Sequence, residues 1–185
     1  IVPSAATGGS FTAGNYDISY VAGDLTISAS PTITTSGTLV PVNTTYGTAS
    51  SPTSVAVSGG FLTGDLMVAA PSGFEISTTP GSGYGSSLIV PAPGGTVSGT
   101  SIYVRLSAVS GAGAYSGNVE ISGGGAATVN VATASSTVAQ APLTISGIAG
   151  VNKDYDGGAT ATVTGTPVYG GLVNSETFSV IGTPS

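Results

Sequence analysis

The chain has 185 residues and a formal net charge of −6, and it contains no His, Cys or Trp. This composition excludes a Ser-His-Asp triad, a thiol nucleophile and the usual kind of zinc site, and two basic residues are too few to bind nucleic acid or anionic lipid. With 30 Gly, 27 Ser and 26 Thr, and with Val, Ile and Tyr between Gly and Pro breaks, the chain predicts β-sheet rather than surface helices.

The first predicted element is a β-hairpin within residues 1–30. Its apolar side chains alternate on two strands around a turn at 21–24, and they are Tyr16, Ile18, Tyr20, Leu25 and Ile27. An isolated hairpin is only marginally stable in water. We therefore expect this segment to close a sheet whose earlier strands precede it.

Residues 31–138 predict an immunoglobulin-like β-sandwich. Clusters of Gly, Pro and Ser separate eight strand-like segments, at 33–40, 53–57, 65–69, 74–77, 87–90, 101–108, 118–122 and 128–132. This number of short strands at this spacing is typical of such a sandwich. Strand alternation predicts a core of Val55, Val57, Leu66, Val68, Phe74, Ile76, Leu88, Val90, Ile102, Val104, Leu106, Val119, Ile121, Val129 and Val131.

Two features of the predicted sandwich involve polar contacts. Tyr103 and Arg105 fall on the solvent face of their strand, and Glu75 and Glu120 are the alternative cross-strand partners of Arg105. Tyr115 precedes a late strand, as in a tyrosine corner, where the phenol donates a hydrogen bond to upstream backbone. We therefore expect Tyr115 to have a structural role.

A short polar linker is predicted over 135–140, followed by a third unit in residues 139–185. The predicted strands of this unit are 141–145, 160–164 and 178–181, with a turn at 153–158. These strands are too few to close a sheet. We expect the unit to be incomplete within this segment.

Three parts of the chain resemble known families. The run NYDISYVAGDLTI at 15–27 resembles the closing hairpin of MBG domains, which are repeated modules of bacterial surface proteins. The motifs APSGFEIS at 70–77 and IYVRL at 102–106 resemble an immunoglobulin-like repeat of secreted Bacteroidota proteins. The stretch 141–165, with KDYDG at its centre, resembles the start of a YDG domain, another adhesin repeat.

These resemblances imply tandem β-sandwich repeats in a long adhesin on a bacterial cell surface, exported by a type IX route. They bring no catalytic residue, and they imply neighbouring repeats as partners, together with glycans or abiotic surfaces. No apolar run reaches the roughly 20 residues of a membrane helix, so we expect no membrane insertion here. In the turn predicted at 153–158, we expect Tyr155, Asp156 and Gly157 to have structural roles.

Calcium is the one metal that the sequence suggests. Asp154 and Asp156 precede Gly157 in a D-x-D-G pattern that could begin a calcium loop. An EF-hand would need Glu at its twelfth position, where this chain has Gly165. A turn in which Asp caps backbone N–H groups and Gly157 takes a positive φ is the favoured interpretation.

The sequence also suggests three alternative functions, which are carbohydrate binding, polymerisation and catalysis. A carbohydrate-binding module would use loop tyrosines such as Tyr46 and Tyr84. A small subunit could instead polymerise by strand donation between its two incomplete ends. A catalytic carboxylate pair of Asp65 and Glu75 is disfavoured, because no Trp platform accompanies it.

Overall fold

The computed structural model describes residues 9–10, 12–19, 21–24, 28–160 and 162–177. The chain divides into two compact units, Ile1–Ser30 and Pro31–Ser185. In the first unit, Ala13–Asn15 form one 3-10 turn. The described residues at 16–19 and 21–24 form no strand. Residues 16–19 of the predicted first strand are therefore not β-strand, and because Tyr20, Leu25 and Ile27 lie outside the described residues, the rest of the hairpin stays a prediction.

The regular secondary structure in the described part of the second unit is almost entirely β-strand, as the sequence predicts. Its strands are β1 (Thr32–Ser36), β2 (Thr44–Thr45), β3 (Thr53–Gly60), β4 (Leu66–Ala69), β5 (Phe74–Ser77), β6 (Ser87–Val90), β7 (Val97–Leu106), β8 (Gly113–Tyr115), β9 (Asn118–Gly123), β10 (Val129–Ala132), β11 (Ser136–Ala139), β12 (Thr144–Gly150) and β13 (Val163–Gly170). A single 3-10 turn at Pro93–Gly95 interrupts them.

Two four-stranded antiparallel sheets form a β-sandwich. Sheet I has the order β1-β3-β7-β5, and sheet II has the order β10-β9-β4-β6. Apolar side chains from the inner faces of these sheets belong to one buried cluster. A smaller sheet, β2-β11-β8, pairs β11 parallel to β2 and antiparallel to β8. The predicted all-β sandwich is therefore confirmed.

The core follows the alternation predicted from the sequence. Leu66, Ile76, Ile102, Leu106 and Ile121 are fully buried. Three predicted members are only partly buried, namely Leu88, Val129 and Val131. The core also includes residues that the prediction missed, which are Leu39, Val42, Leu62, Ala92, Val97 and Val138.

The strand predicted at 33–40 is shorter than expected. It ends at Ser36. Gly37 has a φ of +96°, and this backbone conformation is incompatible with an extended strand. Leu39 and Val42 then enter the core from a segment without regular secondary structure. Strand alternation therefore could not have predicted their burial.

The linker predicted at 135–140 is wrong, because Ser136–Ala139 form β11 of the sandwich. Ser136 is fully buried. Its Oγ accepts a hydrogen bond from the Val42 N–H at 3.0 Å and donates one to the Ala134 carbonyl at 3.0 Å. Val138 is the one large apolar residue of β11. Because the strand is otherwise small and polar, the sequence pattern did not predict it.

The variant Ser136→Ala tests the place of β11 in the sandwich. It should lower the free energy of unfolding by about 1–3 kcal/mol, because the buried Val42 N–H loses its partner. Urea unfolding of the full chain measures this change. Ser135→Ala is the matched control, since Ser135 is exposed. Equal unfolding midpoints for the two variants would contradict the assignment.

Beyond the sandwich, β12 and β13 form an antiparallel hairpin. All seven residues of β12 are exposed, and so are the first six of β13. The strands predicted at 141–145 and 160–164 only partly overlap these two. The strand predicted at 178–181 lies outside the described residues. As described, the hairpin has two strands and no buried core of its own.

Candidate functional site

The turn at 153–158 carries the residues proposed as calcium ligands. The Lys153 Nζ lies 2.7 Å from Oδ1 of Asp156 and donates to the Gly158 carbonyl at 3.0 Å. The same Oδ1 accepts a hydrogen bond from the Gly158 N–H at 2.9 Å, and Gly157 has a φ of +82°. These are the contacts predicted for Asp156 and Gly157 in a structural turn.

The arrangement of the turn does not favour a bound cation. The ammonium of Lys153 already neutralises the Asp156 carboxylate. Across the part of the chain that the structure describes, no three His, Cys, Asp or Glu side chains come together as metal ligands. Tyr155 is 93% exposed, so the structural role predicted for it stays a prediction.

The contact with Lys153 changes the pKa of Asp156, and a pH titration can measure this change. The hydrogen bond from Lys153, together with that of the Gly158 N–H, holds the pKa of Asp156 below the ordinary value of an aspartate. The contact therefore stabilises the turn while Asp156 is ionised, and this stabilisation is lost as pH falls through the lowered pKa. Lys153→Gln should raise the pKa of Asp156, as measured by NMR titration of its carboxyl carbon. Lys153→Arg is the charge-preserving control, and an unchanged pKa in Lys153→Gln would contradict the assignment.

Tyr115 occupies the corner that the sequence predicts. Its hydroxyl donates a hydrogen bond to the Gly111 carbonyl, four residues upstream, at 2.8 Å. Its ring lies against Gly73, which leaves no space for a Cβ there. The Gly73 carbonyl accepts hydrogen bonds from the Ser107 N–H at 3.1 Å and from Ser110 Oγ at 2.7 Å. The corner therefore joins the ends of β5, β7 and β8.

Arg105 pairs with Glu75 rather than with Glu120. Glu75 lies directly opposite it in sheet I, and its Oε1 is 2.7 Å from Nε of Arg105. Glu120 belongs to β9 in sheet II. Asp65 accepts a hydrogen bond from the Ala92 N–H at 3.0 Å, so Asp65 and Glu75 serve separate structural contacts.

A second group of contacts joins the sandwich to the segment that follows β13. We name residues 171–176 the docking loop. Val173 packs on Gly47, where an added Cβ would lie 2.7 Å from that of Val173. The Tyr46 hydroxyl donates a hydrogen bond to Oε1 of Glu176, and Nδ2 of Asn174 donates to the Ala108 carbonyl at 3.2 Å.

An open cleft of about 410 Å³ lies at this junction. Its lining mixes apolar and polar side chains, among them Tyr46, Gln140, Leu143, Leu172 and Glu176. Sequence reasoning missed the junction, because its partners are separated by 66 residues between Ala108 and Asn174 and by 130 between Tyr46 and Glu176. No local pattern marks such contacts.

Comparison with protein-family models, with curated proteins and with solved structures gave no match. Among the described residues, no helix is long and apolar enough to cross a membrane.

Proposed function

We propose that this chain is a structural segment of a long bacterial cell-surface adhesin, where it acts as a stalk or spacer without catalytic activity. Its partners are neighbouring repeats of the same long chain, and its location is extracellular. The resemblance of its three parts to MBG, immunoglobulin-like and YDG repeats supports this proposal. So does a composition without the residues of common catalytic sites.

The docking loop is the observation that carries the proposal. A stalk transmits position along its length only if each module resists bending against the next. Here the chain leaves β11 at Ala139, forms the β12–β13 hairpin, and then returns to the sandwich through Val173, Asn174 and Glu176. Two separate connections restrict rotation more than one flexible linker does.

The geometry also suits an extended array. The sandwich has its own apolar core, so it contributes stability without help from distant modules. The two longest strands of the sandwich, β3 with 8 residues and β7 with 10, give the module about 25–35 Å of reach at roughly 3.3 Å per residue. Many such modules in series form a long, thin stalk.

NMR relaxation of the backbone amides tests whether the docking loop couples the motion of the hairpin to that of the sandwich. In the full chain, backbone amides of β12 and β13 should report the same rotational correlation time as those of sheets I and II. The triple variant Tyr46→Phe, Val173→Ala, Asn174→Ala removes two hydrogen bonds to the sandwich and the Val173 methyl groups that pack on Gly47. In this variant the hairpin amides should show faster motion on the nanosecond timescale, with the sandwich spectrum unchanged.

The matched control for the triple variant is the double variant Ile89→Ala, Glu120→Gln. Both of these residues are exposed and lie outside the junction. The control should leave the correlation time of the hairpin unchanged. Independent motion of the hairpin in the wild-type chain would contradict the coupling.

A second candidate function is strand donation between subunits. The hairpin favours it, because its exposed side chains include Ile145 at 59% and Val168 at 59%. A two-stranded sheet with exposed apolar side chains gains stability when further strands pair with it. In a long array those strands come from the same polypeptide, and in a polymer of small subunits they come from a neighbour.

A further inference from the structure

The outer face of sheet I holds a cluster of aromatic and charged side chains. Arg105 lies beside Glu75, and its Cζ is 3.7 Å from the centre of the Tyr84 ring. Tyr103, two residues before Arg105 on β7, is partly buried on the same face. The side chains of Arg105 and Glu75 keep 26% and 19% of their surface exposed. A molecule in solution can therefore reach the cluster.

The loop that presents Tyr84 is held by its own hydrogen bonds. The Ser77 Oγ donates to the Ser82 carbonyl at 2.6 Å and accepts from the Thr79 N–H at 2.9 Å. The Tyr84 hydroxyl donates to the Pro80 carbonyl at 3.0 Å. Burial raises the pKa of Tyr84 above the ordinary value of a phenol, which is already protonated at neutral pH, so the hydroxyl is a donor there. A loop rich in Gly and Ser is thus ordered around one tyrosine.

The cluster has hydrogen-bonding capacity beyond its internal contacts. A guanidinium has five N–H donors, and the bond to Glu75 uses the one on Nε. The second carboxylate oxygen of Glu75 is a further acceptor. Ser54, directly opposite Tyr103 on β3, and Ser101 on β7 add exposed hydroxyls to the same face. Hydrogen-bond donors and acceptors therefore lie next to the Tyr103 ring, and Arg105 is stacked on the ring of Tyr84.

We infer that this face of sheet I binds a neutral polysaccharide through Tyr84, Tyr103, Arg105 and Glu75. Sugars present hydroxyls that match the Arg and Glu groups, and C–H faces that pack on an aromatic ring such as that of Tyr103, whereas Arg105 already covers one face of the Tyr84 ring and is held in place by it. Glu75 compensates the charge of Arg105, and the chain carries a net charge of −6, so an anionic ligand gains little attraction. The inference goes beyond the proposed spacer role, because it makes the stalk itself adhesive.

Titration of the full chain with neutral hexasaccharides tests the inference. The probes are cellohexaose, maltohexaose, mannohexaose and xylohexaose, each added up to about 10 mM to cover weak binding. At least one of them should give saturable NMR shifts at Tyr84, Tyr103 and the Arg105 Nε–H. Tyr103→Ala should weaken that binding at least about tenfold. Hexagalacturonate serves as the anionic comparison.

The control variant is Tyr155→Ala, which removes a tyrosine that is 93% exposed and outside the cluster. It should leave the affinity unchanged. Glu75→Gln should weaken binding while the far-ultraviolet circular dichroism stays that of a folded sandwich. The inference is overturned if none of the neutral probes gives a saturable shift, if only hexagalacturonate binds, or if Tyr103→Ala binds as tightly as the wild type. None of these results bears on the docking loop, so the spacer role stands or falls separately.

Discussion

Replacing Leu106 by Ala should lower the free energy of unfolding of the sandwich by about 3–5 kcal/mol. Leu106 is fully buried in β7, which lies between β3 and β5 in sheet I. The substitution removes buried apolar surface and leaves a cavity that a closely packed core fills only in part. Since whole domains are stable by only about 5–15 kcal/mol, this loss is a large fraction of the total.

Urea unfolding of the full chain, followed by circular dichroism, measures the loss in Leu106→Ala. Ile89→Ala is the matched control, because Ile89 lies on β6 with 63% of its surface exposed. The control should change the free energy of unfolding by about 0.5 kcal/mol or less. Similar losses in the two variants would show that Leu106 is not in a packed core.

Replacing Gly73 by Ala should cost about 2–4 kcal/mol in the free energy of unfolding, through two separate effects. Gly73 has a φ of +82°, a left-handed conformation that costs an alanine about 1–2 kcal/mol. The new Cβ would also overlap Cδ1 and Cε1 of Tyr115. If that ring moves away, its hydroxyl loses the hydrogen bond to the Gly111 carbonyl, which contributes about 1 kcal/mol to the free energy of unfolding.

A double-mutant cycle separates the two effects at Gly73. In a Tyr115→Ala background the overlap is absent, so Gly73→Ala should cost only the backbone part, about 1–2 kcal/mol. Gly81→Ala is the control, since no atom lies within 4 Å of its Cβ position and its φ is not positive. An equal cost of Gly73→Ala in both backgrounds would show that the ring does not pack on Gly73.

The sequence predicts the sandwich where its side chains alternate. Leu66, Val68, Ile102 and Val104 form strand patterns with buried apolar positions two residues apart, and each is fully buried. The strand β11 was not predicted, because its residue Ser136 is polar and is buried with its hydroxyl hydrogen-bonded to backbone groups. A pattern of hydrophobic residues cannot reveal a buried serine.

The surface sites were predictable only in part. A strand face could be assigned to Arg105, but the choice between Glu75 and Glu120 depends on which strands pair, and alternation does not contain that information. The contact of Tyr46 with Glu176 depends on the path of the chain after β13. Such long-range contacts arise from the fold as a whole, so the docking loop could be found only in the structure.

The mass of the native polypeptide that carries this sequence tests the proposed stalk role most directly. Surface material from the cells that produce it would be separated on a denaturing gel, and the band identified by peptide sequencing. The stalk role predicts a mass many times the 17.6 kDa of this chain. A band near 17.6 kDa would contradict it, and strand donation between small subunits would then be the better account.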